Sequence, residues 1–412
     1  MVDLERRSVI AAGSAALAAG SVAAANAATS RKKADDGPSE DIRIDWTNLT
    51  AAQKKMLGIR FRTLDAESQL DFVTGFRRVI GRLGGNRDVT AETERHLRAN
   101  GQSTLDDTEL AHEQAWNLLV KNPVQASRLR MMCSIQSLMW DRASRAMHAD
   151  RHELLAALEK SDKTGPGKLE LNPNLQIPDS ARHEIHQQPG GYVGDPIGGF
   201  VYHYAVTLGF RSGTAYHDEN HLEYTQAHAK PADGKVRRIL DIGCGTGQST
   251  TPMKMRFPDA EVWGLDCGAP MVRYAHYRAN KMGLEVHFRH AMAEETGFPD
   301  GYFDLVTDHL LFHEVAPEGI AKIVPEIHRI LRPGGVFSHH DLLSEGNPKQ
   351  KPSKTVTGKA QLWETHRHNN YESHYLKYSG SDFPGLLRKT GFTVAISDKP
   401  ANGSRIVAAT KA

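Results

Sequence analysis

Between residue 46 and about residue 160 the apolar positions recur at helical spacing. Phe72, Phe76, Val79, Ile80 and Leu83 fall at i, i+4, i+7, i+8 and i+11 and stop at Gly84-Gly85, which predicts an amphipathic helix burying that stripe. Thr104 and Asp107 resemble a capping box ahead of Leu110, Trp116, Leu118 and Leu119. A further stripe runs through Leu129, Met132, Ile135, Leu138, Met139 and Ala143, with the methionines as core filling. From 161 to 199 the periodicity lapses, because Gly165-Pro166-Gly167, Asn172-Pro173, Pro189-Gly190-Gly191 and Gly194-Asp195-Pro196 forbid long regular elements. Helical and aromatic character returns from 200 to 230. After Gly234 short apolar runs alternate with helical stretches, and 238–242, 261–265, 286–289, 303–307 and 336–340 are the predicted strands of a parallel α/β sheet. Pro325 lies inside the stripe Ile320, Ile323, Ile327, Ile330 and Leu331 and predicts a broken or kinked helix there.

Composition narrows this picture. The 51 Lys and Arg against 49 Asp and Glu leave a net charge of +2, so a nucleic-acid partner is not implied. Three cysteines, Cys133, Cys244 and Cys267, form no CxxC pair and are too few for a disulfide framework. At the N-terminus, Arg6-Arg7 precedes a weakly apolar stretch of Ala, Gly and Ser and then Ala25-Asn26-Ala27, which fits an A-x-A processing site. This looks like a twin-arginine export signal, too weakly apolar to anchor in a bilayer. Glu5 is unusual before such a pair, and a disordered leader or misassigned start is the alternative. The expected location is therefore exported or periplasmic, or else cytoplasmic. If the signal is used, protein recovered from its own host should have an intact mass lacking residues 1–27; an unprocessed cytoplasmic product would overturn this. The chain then divides into a signal at 1–28, a linker at 29–44, a helical domain at 45–160, a Gly/Pro-rich linker and lid at 161–233, and an α/β domain at 234–412.

The chemistry concentrates in the last segment. Arg238-Ile-Leu-Asp-Ile-Gly-Cys-Gly-Thr-Gly247 places three glycines directly after a strand and before a helix, where the backbone must turn tightly and let a ligand approach. Asp241 stands just ahead of the loop, and the next predicted strand runs into Asp266, where a ribose diol would lie. The alternation of Gly243, Gly245 and Gly247 differs from the G-x-G-x-x-G that seats a pyrophosphate, and an acid beside the loop suits an ammonium.

Taken with the GLD at Asp266, FPDGYFDLV and LRPGG, the DIGCGTG loop resembles the class I S-adenosylmethionine-dependent methyltransferases of the small-molecule type. The resemblance covers 234 to the C-terminus, where 386–392 and 404–409 are similar to that fold's closing helix and antiparallel strand. It implies a Rossmann-like α/β fold, mostly parallel with a C-terminal antiparallel strand, preceded here by the helical domain. It also implies S-adenosylmethionine as cofactor, a small-molecule acceptor and in-line methyl transfer. The implied cofactor-binding residues are Asp241, Gly243, Cys244, Gly245, Thr246, Gly247, Asp266, Met292, Ala293 and Asp308. Gly243, Gly245 and Gly247 would line the methionine part, and Asp266 would hold the ribose hydroxyls. Met292 departs from the acid or amide usual at that place; it cannot accept from the adenine amino group, though it can pack on the purine face.

Open parallel sheets bind ligands at the carboxyl ends of their strands. The fourth predicted strand runs into Asp308-His309 with His313-Glu314 beyond, and the fifth into His339-His340-Asp341. A base is needed only if the acceptor carries a proton, and His309 or His313 is the candidate. A continuing strand would let only one of them face the pocket, whereas a helix after Asp308 would bring both to one face. His217 and His221 at i, i+4, and His339-His340-Asp341, have metal-ligand chemistry, but neither fits a metal motif and no metal is expected. Tyr192, Phe200, Tyr202, Tyr204 and Tyr216 are candidates for a lid, and 363–378 with His366, His368 and His374 for a second wall. The rival readings are a cofactor-binding partner module that has lost transfer and a macromolecular methyltransferase, the latter weakened by the near-neutral charge.

Overall fold

In the computed structural model the apolar runs after Gly234 become strands of one eight-stranded sheet. The structure describes residues 63–83, 119–206, 219–341, 364–396 and 406–412, with isolated positions between 91 and 117. All of them fall within one unit, residues 43–412. In chain order the helices and strands are α1 (Leu64–Leu83), α2 (Pro123–Ala149), α3 (Arg151–Ser161), β1 (Leu169–Glu170), α4 (Gly198–Ala205), α5 (Glu219–Ala227), β2 (Arg238–Ile242), α6 (Thr250–Arg256), β3 (Glu261–Asp266), α7 (Ala269–Met282), β4 (His287–His290), β5 (Phe303–His309), α8 (Pro317–Ile330), β6 (Leu331–His340), α9 (Tyr375–Ser379), α10 (Phe383–Lys389), β7 (Phe392–Ile396) and β8 (Ile406–Lys411). The signal-like stretch, the linker, the Thr104–Asp107 pair, His217, Tyr216 and Trp363 lie outside the described residues.

The strand order is β1-β4-β3-β2-β5-β6-β8-β7. β8 runs antiparallel to both β6 and β7, and the other pairings are parallel. Successive strands after β2 depart first to one side and then, from β5, to the other, so the chain switches direction at β2 and opens a crevice at its carboxyl end. Alternation along the buried strands feeds two apolar layers. Ile239, Val262, Leu305 and Val336 meet Met253 of α6 and Val272, Ala275 and Ala279 of α7 on one face. Leu240, Ile242, Val306 and Phe337 meet Ile320, Ile323 and Ile327 of α8 and Leu387 of α10 on the other. A third cluster joins α1, α2 and α4 to Tyr274 of α7. No helix among the described residues is long and apolar enough to cross a membrane.

Three expectations are corrected. In α1, Phe72 and Val79 are 72% and 54% exposed, while Leu70, Val73 and Ile80 are buried. The true stripe is Ala66, Leu70, Val73, Arg77 and Ile80, hidden in the sequence because Arg77 interrupts it; its guanidinium donates to Gln136 Oε1 of α2 at 3.3 Å. Leu138 of α2 is likewise turned outward, and Trp140 takes the core position beside Met139. Pro325 does not end α8. It lies on the exposed side, so the missing N–H is on the solvent face, while Ile320, Ile323, Val324, Ile327 and Ile330 keep the helix on the sheet.

Candidate active site

Three left-handed glycines shape the loop after β2, with φ +66° at Gly243, +50° at Gly245 and +74° at Gly247. A Cβ at Gly247 would press on Ala275 and Phe288, whereas a Cβ at Gly245 would meet nothing within 4 Å, so the loop is open to a ligand at Gly245. Asp266 ends β3, and its two carboxylate oxygens accept from the N–H of Gly245 at 2.9 Å and of Gly268 at 2.8 Å. One side chain thus fixes the loops after β2 and β3 against each other. Burial raises its carboxyl above the usual carboxylate range, and those two N–H groups oppose the rise. Met292 and Ala293 follow β4 in the next loop along, which is tied to the same point by Ala291 N–H donating to the Asp266 carbonyl at 3.1 Å. Cys244 and Thr246 point inward and are buried.

The two other acids stand beneath this crevice. Asp241 is buried and accepts from the hydroxyls of Ser249 at 2.7 Å, Thr250 at 2.6 Å and Thr307 at 3.3 Å, so its side chain anchors the start of α6. Asp308 lies on the opposite face of the sheet, accepting from His339 Nδ1 at 2.8 Å, while His339 Nε2 pairs with the Tyr378 hydroxyl of α9. Burial pushes both carboxyls up to about 6. A carboxyl raised in the folded state contributes stability that is complete below the ordinary 3.8 and lost as pH rises through about 6. Asp308→Asn should therefore gain on the parent by up to about 3 kcal/mol across that window. Urea midpoints at both ends of the window check this, and parallel pH curves would refute it.

A second cluster lies over the carboxyl ends of β5 and β6. β5 ends at His309, Leu310 turns the chain at φ +60°, and a 3-10 turn, Phe312–Glu314, follows. His313 Nδ1 donates to Asp341 Oδ1 at 2.6 Å, and Asp341 Oδ2 accepts the N–H groups of Phe312 and His313 at 2.7 and 3.2 Å. Burial alone would lower the His313 imidazole, but the Asp341 carboxylate outweighs it and raises the group to about 10. Glu314 Oε1 accepts from the Tyr192 hydroxyl at 3.2 Å and from His186 Nε2 at 3.1 Å, and His186 Nδ1 lies 3.3 Å from Glu372 Oε1. Burial and the Glu314 charge hold the Tyr192 phenol protonated.

The strap that delivers His186 and Tyr192 is held in an uncommon shape. His186 and Gln187 have φ of +59° and +62°, and Tyr371 in the facing segment +56°. Such backbone persists only where its surroundings over-determine it. Here Gln136 of α2 donates its amide to the His186 carbonyl at 2.9 Å and to Asn370 Oδ1 at 3.0 Å, and Gln187 donates to the Asn369 carbonyl at 2.6 Å. The Tyr192 carbonyl would lie 2.6 Å from a Cβ on Gly268, while its hydroxyl reaches Glu314, so the residue crosses from the loop after β3 to the turn after β5.

His309 goes elsewhere. Its ring stacks on His340 at 4.9 Å and 7°, with Nδ1 to Nδ1 at 2.9 Å, and the Tyr224 ring of α5 lies 4.5 and 4.4 Å from the two. His309 and His313 therefore share neither a strand nor a helix face. The left-handed turn at Leu310 parts them into two clusters, an outcome outside both expectations from spacing. Among the described residues, no group of three or more His, Cys, Asp or Glu is placed to hold a metal ion.

A family model described as a methyltransferase domain matches residues 239–335. The chain is 43% identical over 99 residues to a demethylmenaquinone methyltransferase of Thermus thermophilus, covering 24% of this chain and 44% of that relative. It is 37% identical over 110 residues to a ribosomal RNA large subunit methyltransferase of Streptomyces coelicolor, covering 26% and 29%. It thus spans less than half the length of either. An uncharacterized methyltransferase of Synechocystis is 30% identical over 168 residues, 41% of this chain and 72% of that protein. The chain belongs to the methyltransferase family. The cofactor of the methyltransferase is S-adenosylmethionine, and the crevice fits it: the open side at Gly245 admits a close ligand, and Asp266 offers a carboxylate beside it. His186, Glu314, Glu372 and Gln136 carried no sequence signal as a group, since they lie on four separate segments of the methyltransferase.

Proposed function

We propose that the chain transfers a methyl group from S-adenosylmethionine to a small-molecule acceptor. The observation that carries this reading is the roof over the crevice. Tyr192 bridges from Gly268 to Glu314, and the groups beside it are carboxylates, with Asp266, Glu314 and Glu372 facing the same region. A nucleic-acid strand needs an open face lined by Lys and Arg to replace its counterions. A roofed acidic crevice favours a small, uncharged or cationic acceptor instead. The quinone named for the Thermus relative and the near-neutral net charge agree with this reading.

When bound, the cofactor supplies a methyl carbon already activated by its positive sulfur. The residues of the chain then have to hold, align and keep water out, and alignment alone contributes up to about 7–11 kcal/mol. In this reading Asp266 and the loop at Gly243–Gly247 orient the cofactor. The strap of His186 and Tyr192 closes the crevice, and His313, holding its proton at neutral pH, acts as a fixed donor and counter-charge to Asp341 and Glu314.

Calorimetric titration of the full chain with S-adenosylmethionine, followed by assay for transfer of labelled methyl into the host's small-molecule fraction and into its ribosomal RNA, tests the proposal. Labelled small molecules are expected. Label in RNA alone would make it a macromolecular methyltransferase, and binding without transfer to either would leave a cofactor-binding partner module.

A further inference from the structure

We infer that Arg278 is a positioning residue for the amino-acid end of the cofactor, acting through the carbonyl of Gly247 at the far side of the glycine loop. The inference rests on the methyltransferase reading above and goes beyond it, since that reading gives α7 no part in cofactor binding.

The observation is a guanidinium beneath the loop. Arg278 lies on the buried face of α7, between Ala275 and Ala279, and is itself fully buried. An arginine is rarely hidden so completely, because an ion taken out of water has to find its partners inside the protein. Two of the partners belong to the glycine loop and the helix that follows it. Arg278 Nη1 donates to the Gly247 carbonyl at 3.1 Å and to Thr251 Oγ1 of α6 at 2.8 Å. The same carbonyl accepts the Thr251 N–H at 3.0 Å and the Thr251 hydroxyl at 3.0 Å. Three donors therefore converge on one oxygen, and the charged one comes from a different helix.

The loop is held at both ends. Its first half is fixed by the end of β3, where Cys244 N–H donates to the Leu265 carbonyl at 3.0 Å and Gly245 N–H to Asp266 Oδ2 at 2.9 Å. Its second half is fixed by α7. A Cβ on Gly247 would lie 3.0 Å from the Ala275 side chain, so the loop rests on α7 at Ala275 and is tied to it three residues further on, on the same helix face, by Arg278. Between these anchors Gly245 stays open. With Asp266 taking the hydroxyl pair, the rest of the cofactor crosses that open side, and its amino-acid end falls on the half that Arg278 holds. A cation on a peptide carbonyl polarises the peptide, so its N–H, that of Gln248, becomes a stronger donor. Arg278 thus both fixes this half of the loop and makes it more positive, which suits the carboxylate of an amino acid.

Two ligands that share adenine, ribose and a thioether but differ at that end test this: S-adenosylhomocysteine, which carries the amino acid, and methylthioadenosine, which has a methyl group in its place. Each is titrated calorimetrically into the full chain as parent, Arg278→Met and Arg278→Lys, with circular dichroism to confirm folding. Arg278→Met should weaken S-adenosylhomocysteine about tenfold or more, the loss expected for a hydrogen bond from a charged group, and leave methylthioadenosine within about threefold. Arg278→Lys keeps the charge without the planar fork and should fall between. Equal loss for both ligands would mean that Arg278 only supports the fold, and no loss for either would mean that the loop needs no anchor from α7; each overturns the inference. Should Arg278→Met fail to fold, Arg278→Lys and Thr251→Val, which removes the hydroxyl between guanidinium and carbonyl, carry the same comparison. There a severalfold loss confined to S-adenosylhomocysteine supports the inference, and an equal or absent loss overturns it. Failure of S-adenosylmethionine to bind the parent would instead overturn the methyltransferase reading, so the two failures are distinguishable.

Discussion

Replacing Asp266 by Ala is expected to weaken S-adenosylmethionine binding about thirtyfold or more, equivalent to about 2 kcal/mol. The carboxylate ends β3 with one oxygen on Gly245 N–H and the other on Gly268 N–H. Any hydroxyl pair of the cofactor that reaches it gains charge-assisted bonds of roughly 1.5–3 kcal/mol each. Alanine removes these and also frees both loops. Asp266→Asn keeps one accepting oxygen and should lie between the parent and Ala. Because burial raises the Asp266 carboxyl, affinity should decline as pH falls and should begin to do so above the usual carboxylate range. Calorimetry at several pH values, with circular dichroism to confirm folding, measures this. An affinity for Asp266→Ala within threefold of the parent, in a folded protein, would remove Asp266 from the site.

What the sequence disclosed is what local chemistry dictates. Strands after Gly234 were legible because buried parallel strands read as short apolar runs, and the structure places all five within about two residues or extends them, as with Leu331–His340. The glycine loop was legible because glycine takes the left-handed region without steric cost, and three such positions fall within five residues at Gly243, Gly245 and Gly247. The stripe of α1 was misread because its buried face includes Arg77, whose polar end is satisfied by Gln136, a partner 59 residues away. The same reason hid the strap. His186, Gln187, Glu372 and Asn370 are ordinary polar residues in loops, and what gathers them is a set of long-range hydrogen bonds, from Gln136 of α2 to the His186 carbonyl and Asn370 and from Gln187 to the Asn369 carbonyl. Backbone strain at His186 and Tyr371 has no sequence signature at all, since neither is glycine. Spacing also failed for His309 and His313, because a single left-handed residue, Leu310, decides their directions.

The largest effect on stability is expected at Asp341. This side chain is fully buried, neutralises His313 at 2.6 Å and caps two N–H groups of the turn after β5. Asp341→Asn retains an accepting oxygen for the turn but removes the largest charge that holds the His313 proton, leaving burial opposed only by the weaker influence of Glu314 and Glu372. Breaking a buried pair from one side costs about 3–5 kcal/mol. The pH dependence gives the assignment its sign. The folded value of His313 is raised from 6.5 to about 10, so its contribution is complete below 6.5 and is lost as pH rises through about 10. The stability gap between parent and Asp341→Asn, read from urea unfolding, should therefore be wide in mild acid and narrow steadily toward pH 10. A gap that does not change with pH would mean that the carboxylate matters only as a cap for Phe312 and His313 N–H. The same variant should loosen the cofactor site, because the turn it holds carries Leu311, whose side chain lies against Gly243, and Glu314, on which the Tyr192 strap closes.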